Sequence, residues 1–92
     1  MAEPISRTLT IVNVKGLHAR ASAKLVELVE DFDAEATVCK DGIDVTGDSI
    51  MGLRMLAAAR GTQIEVATSG NDAAALADAI EALVADKFGE ED

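Results

Sequence analysis

The chain of 92 residues contains no tryptophan and no tyrosine, two phenylalanines (Phe32 and Phe88), one cysteine (Cys39) and one histidine (His18). The scarcity of aromatics removes the stacking platforms on which single-stranded nucleic acids are held. Basic residues are few as well: 8 Lys and Arg stand against 17 Asp and Glu, for a net charge of −9. Binding DNA or RNA depends on neutralising phosphates with cations, so this balance argues against nucleic acid as a partner. A lone cysteine forms no internal disulfide and no thiolate metal cluster, which points to a reducing compartment, and Cys39 reads as a small packing residue with no second histidine to activate it. The first residues, up to Leu17, have neither a basic n-region nor an apolar h-region. No run approaches the ~20 apolar residues of a membrane span. A cytoplasmic location without membrane insertion is therefore expected. The acidic residues are scattered without the spacing of a calcium loop, and no glycine-rich phosphate or dinucleotide motif is present, so neither a metal nor a cofactor is expected.

What is abundant is aliphatic: 49% of the residues are apolar, and the core is expected to be built from Ala, Val, Leu, Ile and Met. A chain of this length buries roughly 60–70% of its unfolded surface and folds as one domain, 1–92. Over residues 7–12, Leu9 and Ile11 alternate with Thr8 and Thr10, the period of a strand buried on one face. Gly16 interrupts, and from Ala19 onward Ala21, Leu25, Leu28, Val29 and Phe32 follow helical spacing. Asp41-Gly42 between residues 35–40 and 43–45 signals a hairpin, because both central residues of its turn take positive φ. A short helix is predicted over residues 50–59, with Ile50, Leu53, Leu56 and Ala57 on one side and Arg60-Gly61 as its stop. Residues 62–68 alternate as a fourth strand. Residues 69–72 supply a turn and an N-cap for a long alanine-rich helix marked by Leu76, Ala79, Ile80, Leu83 and Lys87. Residues 89–92 read as a frayed acidic tail. The order β-α-β-β-α-β-α with alternating strands predicts an α+β fold: an open-faced two-layer sandwich, a four-stranded antiparallel sheet with three helices on one face. No large exposed apolar stripe is evident, so a monomer is expected.

His18 sits where a strand gives way to a helix. An imidazole is partly unprotonated near neutral pH and has a ring nitrogen able to attack phosphorus, while a helix start offers free N–H groups and partial positive charge to an anion. A lone histidine is ordinarily a surface or capping residue, but Gly16 before it permits close approach and Arg20 after it presents a fork of donors matched to phosphoryl oxygens. Arg20 read by itself is equally a solvated helix residue. Ser49 is placed as the N-cap of the short helix, where an added phosphate sits favourably against the helix dipole. Met51 and Met55 fall off the inward stripe, as adaptable contact residues do.

Gly16-Leu17-His18-Ala19-Arg20 together with Ser49-Ile50-Met51-Gly52-Leu53, at this separation, resembles the HPr family, the histidine-containing phosphocarriers of the bacterial phosphoenolpyruvate-dependent phosphotransferase system. The resemblance spans nearly the whole chain. It implies the same open-faced sandwich, and a carrier rather than an enzyme: His18 takes a phosphoryl group on Nδ1 from the phosphohistidine of Enzyme I and passes it to an EIIA-type protein. The amides of the helix start at Ala19 and Arg20, with the Arg20 side chain, are implied as the phosphoryl cradle. Ser49 matches the serine that HPr kinase/phosphorylase modifies in many members, with Ile50 and Met51 as its docking surface and Met55 beside them. One position departs from the pattern, Ala21 standing where the family commonly has proline, which implies a less rigid entry to the helix. Two further readings are open: a mainly regulatory, nitrogen-type protein whose phosphorylation state selects partners, and a small scaffolding module that binds a helix through Met51.

Overall fold

The computed structural model describes residues 4–91. Strands β1 (Ile5–Thr10), β2 (Glu35–Lys40), β3 (Ile43–Thr46) and β4 (Gln63–Ser69) form one antiparallel sheet in the order β1-β4-β2-β3. Helices α1 (Ala19–Glu30), α2 (Ile50–Met55) and α3 (Ala73–Ala85) complete it, followed by a 3-10 turn over Lys87–Gly89. The alternation read from the sequence sets the register. Leu9 faces Ile64 across β1 and β4, and Val38 faces Val66 across β2 and β4, so these apolar side chains share the buried face. Their neighbours Thr8, Thr37 and Glu65 lie exposed on the other. Onto the buried face pack Ala21, Leu25 and Val29 of α1, Leu53 of α2, and Leu76, Ile80 and Val84 of α3. Arg7, on the helix side of the edge strand, donates to Asp78 at 2.6 Å and Glu81 at 2.8 Å, tying β1 to α3.

Three expectations are corrected. The second helix does not continue to residue 59. Leu56 is its cap and Ala57 turns left-handed (φ 51°). The reason is tertiary: the carbonyl of Ala58 accepts the N–H of buried Leu17 at 2.9 Å. Leaving a buried N–H without a partner costs about 1–3 kcal/mol, more than continuing an alanine helix by three residues contributes. Ile50 (40% exposed) and Ala57 accordingly lie off the buried stripe, which keeps Leu53 and Leu56. Second, Asp72 begins α3 without a side-chain cap bond, its Oδ2 instead accepting the N–H of Asp33 at 2.8 Å.

The third correction concerns the chain after α3. Phe88 is fully buried and heads the buried side chains in size, so the core is not purely aliphatic. Lys87 (φ 57°), Phe88 (φ 55°) and Gly89 (φ 77°) are left-handed in succession, reversing the chain so that Phe88 points inward. Two left-handed non-glycine residues cost about 2–4 kcal/mol together. Truncating a buried phenylalanine costs about 3–5 kcal/mol, so this anchor can sustain the turn. Glu90 follows, folded against the body of the protein rather than frayed, while Asp92 lies outside the described residues.

Candidate phosphoryl-accepting site

The loop between β1 and α1 is built to present one ring. Asn13 is fully buried, and its Nδ2 donates to the carbonyl of Gly16 at 2.8 Å while the Gly16 N–H returns to the Asn13 carbonyl at 3.2 Å. Gly16 has φ +65°, and a Cβ there would stand 2.3 Å from the Ala58 carbonyl oxygen, so no side chain fits. Leu17 is pinned in the core. Ser22 Oγ donates to the Leu17 carbonyl at 3.2 Å, locking the loop onto α1.

His18 is thereby the N-cap of α1, in extended backbone geometry. Its Nδ1 accepts the N–H of Arg20 at 3.3 Å, and its Nε2 lies 2.5 Å from Oε2 of Glu90. A nitrogen that accepts from an amide carries a lone pair, and one that meets a carboxylate carries the proton. The hydrogen-bond network thus assigns the neutral ring as Nε2–H with the Nδ1 lone pair turned toward the helix start. The other oxygen of Glu90 accepts from Asn13 Nδ2 at 3.0 Å. Hydrogen bonding from His18 in the first place, and from Asn13 in addition, holds the Glu90 carboxyl below the usual carboxylate range against the opposing effect of burial.

A depression beside the ring is lined by Val14, Lys15, Arg20, Lys24, Glu90 and Glu91, so three of the eight cations of this acidic chain meet two carboxylates there. Lys24 Nζ donates to the Phe88 carbonyl at 2.6 Å. Arg20 and Ala19 are exposed at the first turn, the Arg20 guanidinium lining this depression with His18. Leu17, Arg54 and Ala57 line a second depression with His18, which brings Arg54 of α2 next to it. Ala21, at the family's proline position, is buried in the third helical position.

Ser49 is the N-cap of α2, its Oγ accepting the Gly52 N–H at 3.0 Å. Around it Ile50, Met51 (68% exposed) and Met55 (73% exposed) are uncovered. Cys39 is half-buried on β2 opposite Asp44 of β3, whose carboxylate pushes the thiol up, with burial adding to it; the thiol is held in its unreactive, protonated form. Among the described residues no cluster of His, Cys, Asp and Glu is arranged to hold a metal ion, and no helix is long and apolar enough to cross a membrane.

Sequence reasoning placed His18, Arg20 and Ser49 at helix starts, where they stand, but missed Glu90, Asn13 and Arg54. The available signal for Glu90 was Phe88-Gly89: an aromatic residue and a turn glycine inside an acidic stretch mark a buried anchor, not a tail.

The chain is similar to known proteins in both sequence and fold. A family model described as the PTS HPr component phosphorylation site matches residues 5–86, a stretch that ends before Glu90. The chain is 44% identical over 86 residues to the phosphocarrier protein HPr of Cupriavidus necator, covering 94% of this chain and 97% of that one. It is likewise 44% identical over 86 residues to the phosphocarrier protein NPr of Shewanella violacea, covering 94% of each. A crystal structure of HPr from Thermoanaerobacter tengcongensis superposes with a TM-score of 0.90 at 34% identity, covering 95% of this chain and 98% of that one. The chain belongs to the HPr family of phosphocarriers.

Proposed function

We propose that this HPr-family protein accepts a phosphoryl group on Nδ1 of His18 from phosphorylated Enzyme I and delivers it to an EIIA-type protein, as a carrier consumed and regenerated in each cycle. The observation that carries this reading is the Nδ1 lone pair facing the first turn of α1, 3.3 Å from the Arg20 amide. Its attack forms an Nδ1–P bond as the N–P bond of the donor breaks, and delivery reverses these steps on the next histidine. A phosphoryl group on Nδ1 meets the N–H groups of the helix start and the Arg20 guanidinium, both of which favour its negative oxygens. Phosphoryl transfer rests on such positioning and charge stabilisation. The group is carried covalently on the protein, so the cycle calls for no separate carrier group. A cytoplasmic, monomeric carrier is the reading that fits this role.

Ser49 serves as a second, regulatory phosphorylation site for an HPr kinase/phosphorylase that docks on Ile50, Met51 and Met55. A phosphate there adds about −1.5 to −2 charges beside an uncharged contact surface. Its attraction to the helix end is only ~0.3–1 kcal/mol, whereas like charges across an interface cost several. Ser49 phosphorylation therefore acts on partner binding and leaves the fold intact. A second reading, a nitrogen-type regulatory protein, is favoured by the equal likeness to the NPr of Shewanella violacea.

Incubation with Enzyme I and phosphoenolpyruvate is expected to give an acid-labile, base-stable adduct of about +80 Da, one phosphate in place of a proton. It is absent in His18→Ala. A His18→Ala protein that still acquires the adduct overturns the assignment.

A further inference from the structure

We propose that Glu90 is a positioning residue of phosphoryl transfer, acting through His18 as the counter-ion of the ring charge that appears when Nδ1 bonds to phosphorus. The proposal rests on the phosphocarrier reading above.

The geometry fixes this carboxylate at both oxygens. Oε2 lies 2.5 Å from His18 Nε2 and Oε1 accepts from Asn13 Nδ2 at 3.0 Å. Asn13 is fully buried and belongs to the loop that presents the ring, so one amide sets both the loop, through the Gly16 carbonyl, and the carboxylate. The backbone that carries Glu90 is held too. Phe88 is sunk in the core, its carbonyl accepts from Lys24 of α1 at 2.6 Å, and the left-handed run over Lys87, Phe88 and Gly89 aims the next side chain back at α1. The Glu90 side chain is only 17% exposed, so the pair is partly shielded from water.

The reaction needs a group in this place. A neutral imidazole that attacks through Nδ1 keeps its Nε2 proton, and its lone pair becomes the Nδ1–P bond. The ring then carries one positive charge shared by its two nitrogens. On delivery the Nδ1–P bond breaks with its electron pair returning to Nδ1, and the ring departs as neutral imidazole because the Nε2 proton never left. Arg20 and the helix amides address the phosphoryl oxygens and repel the ring charge. Glu90 is the group on the opposite nitrogen that favours it, as a carboxylate does behind the histidine of a hydrolytic triad. The pairing therefore favours loading and the loaded state, and it is given up on delivery as the ring returns to neutral.

Two measurements test this on the full chain. Phosphoramidate, a small phosphoryl donor, allows loading of His18 to be followed by phosphorus NMR with no partner surface involved. Glu90→Gln keeps the size and can still accept from Nε2–H through its one amide oxygen, but it lacks the charge and the second acceptor that Asn13 meets. It is expected to load about 10- to 100-fold more slowly, as loss of a charge-assisted hydrogen bond implies. A rate within twofold of wild type overturns the proposal. The second readout is the Nε2-bound proton of His18, expected to be strongly deshielded in the unmodified protein and to move upfield in Glu90→Gln. A resonance unchanged by the substitution overturns it equally, whereas a merely structural contact moves the resonance and leaves the loading rate within twofold of wild type. If Enzyme I fails to load the wild type, the phosphocarrier reading falls, whereas these two measurements still judge Glu90.

Discussion

His18 and Ser49 occupy the same local position at two helices and are surrounded differently. Each caps a helix with its own side chain, His18 Nδ1 accepting from Arg20 N–H at 3.3 Å and Ser49 Oγ from Gly52 N–H at 3.0 Å. Each therefore sits where backbone amides and helix dipole favour a phosphate. Around His18 the fold adds Lys15, Arg20 and Lys24 from its own stretch of chain and the carboxylate of Glu90 from 72 positions away. Around Ser49 it adds exposed Ile50, Met51 and Met55. A helix start alone gives only an anion-tolerant cap. The nearby cations and one long-range neighbour, Glu90, set the first cap, whose Nδ1 lone pair faces the helix start, apart from the second, a hydroxyl beside exposed apolar side chains.

The most direct way to break this comparison is to strip His18 of its long-range neighbour Glu90 while keeping its cap. Phe88→Ala removes the anchor that aims Glu90, and loss of a fully buried phenylalanine is expected to cost about 3–5 kcal/mol in urea unfolding. Where the variant remains folded, loading of His18 is expected to slow as it does in Glu90→Gln, because the cap survives and the counter-ion does not. Full-rate loading in a folded Phe88→Ala protein separates the anchor from the site.

How much of this contrast could be read in the sequence follows from the range of each interaction. The alternation around Leu9, Ile64 and Val66 is a period of two along the chain, and both caps are signalled by residues within one turn. These were legible. The end of α2 was not, because Ala57, Ala58 and Ala59 carry the highest helix propensity and the deciding contact, Leu17 N–H to Ala58 carbonyl, joins residues far apart in sequence. Glu90 was hidden in the same way, meeting His18 across 72 positions from within a stretch whose composition reads as solvated. The cap that holds His18 is local; the carboxylate that meets its ring is not.

Ser49→Ala probes the other cap and is a smaller perturbation. Losing the Gly52 hydrogen bond is expected to cost typically ~1 kcal/mol, within the 0.5–2 range for such caps. Loading of His18 by Enzyme I is expected to stay close to wild type, since none of the groups touching the ring is altered. Urea unfolding and the mass-shift assay read the two effects separately. A large drop in loading joins the caps into one site and removes the contrast between them.

The smallest effect is an acid dependence that belongs to the His18 end alone. His18, Asn13 and, through charge, Lys15 hold the folded-state pKa of Glu90 below its ordinary value, while in the unfolded chain a glutamate titrates near ~4.3. A depressed folded pKa means that the unfolded state binds the proton first as the solution is acidified. The stabilisation from ionised Glu90 is thus fully present above about pH 4.3 and is lost as pH falls through the lower folded value. Glu90→Gln lacks this titration. The stability difference between wild type and Glu90→Gln, followed by urea unfolding from neutral pH downward, is expected to narrow only in that acid window. The corresponding difference between wild type and Ser49→Ala is expected to stay flat there, because the cap it removes is an uncharged hydroxyl. Parallel acid slopes for wild type and Glu90→Gln mean that the carboxylate is not held by its neighbours, and the two helix starts then differ in their cations alone.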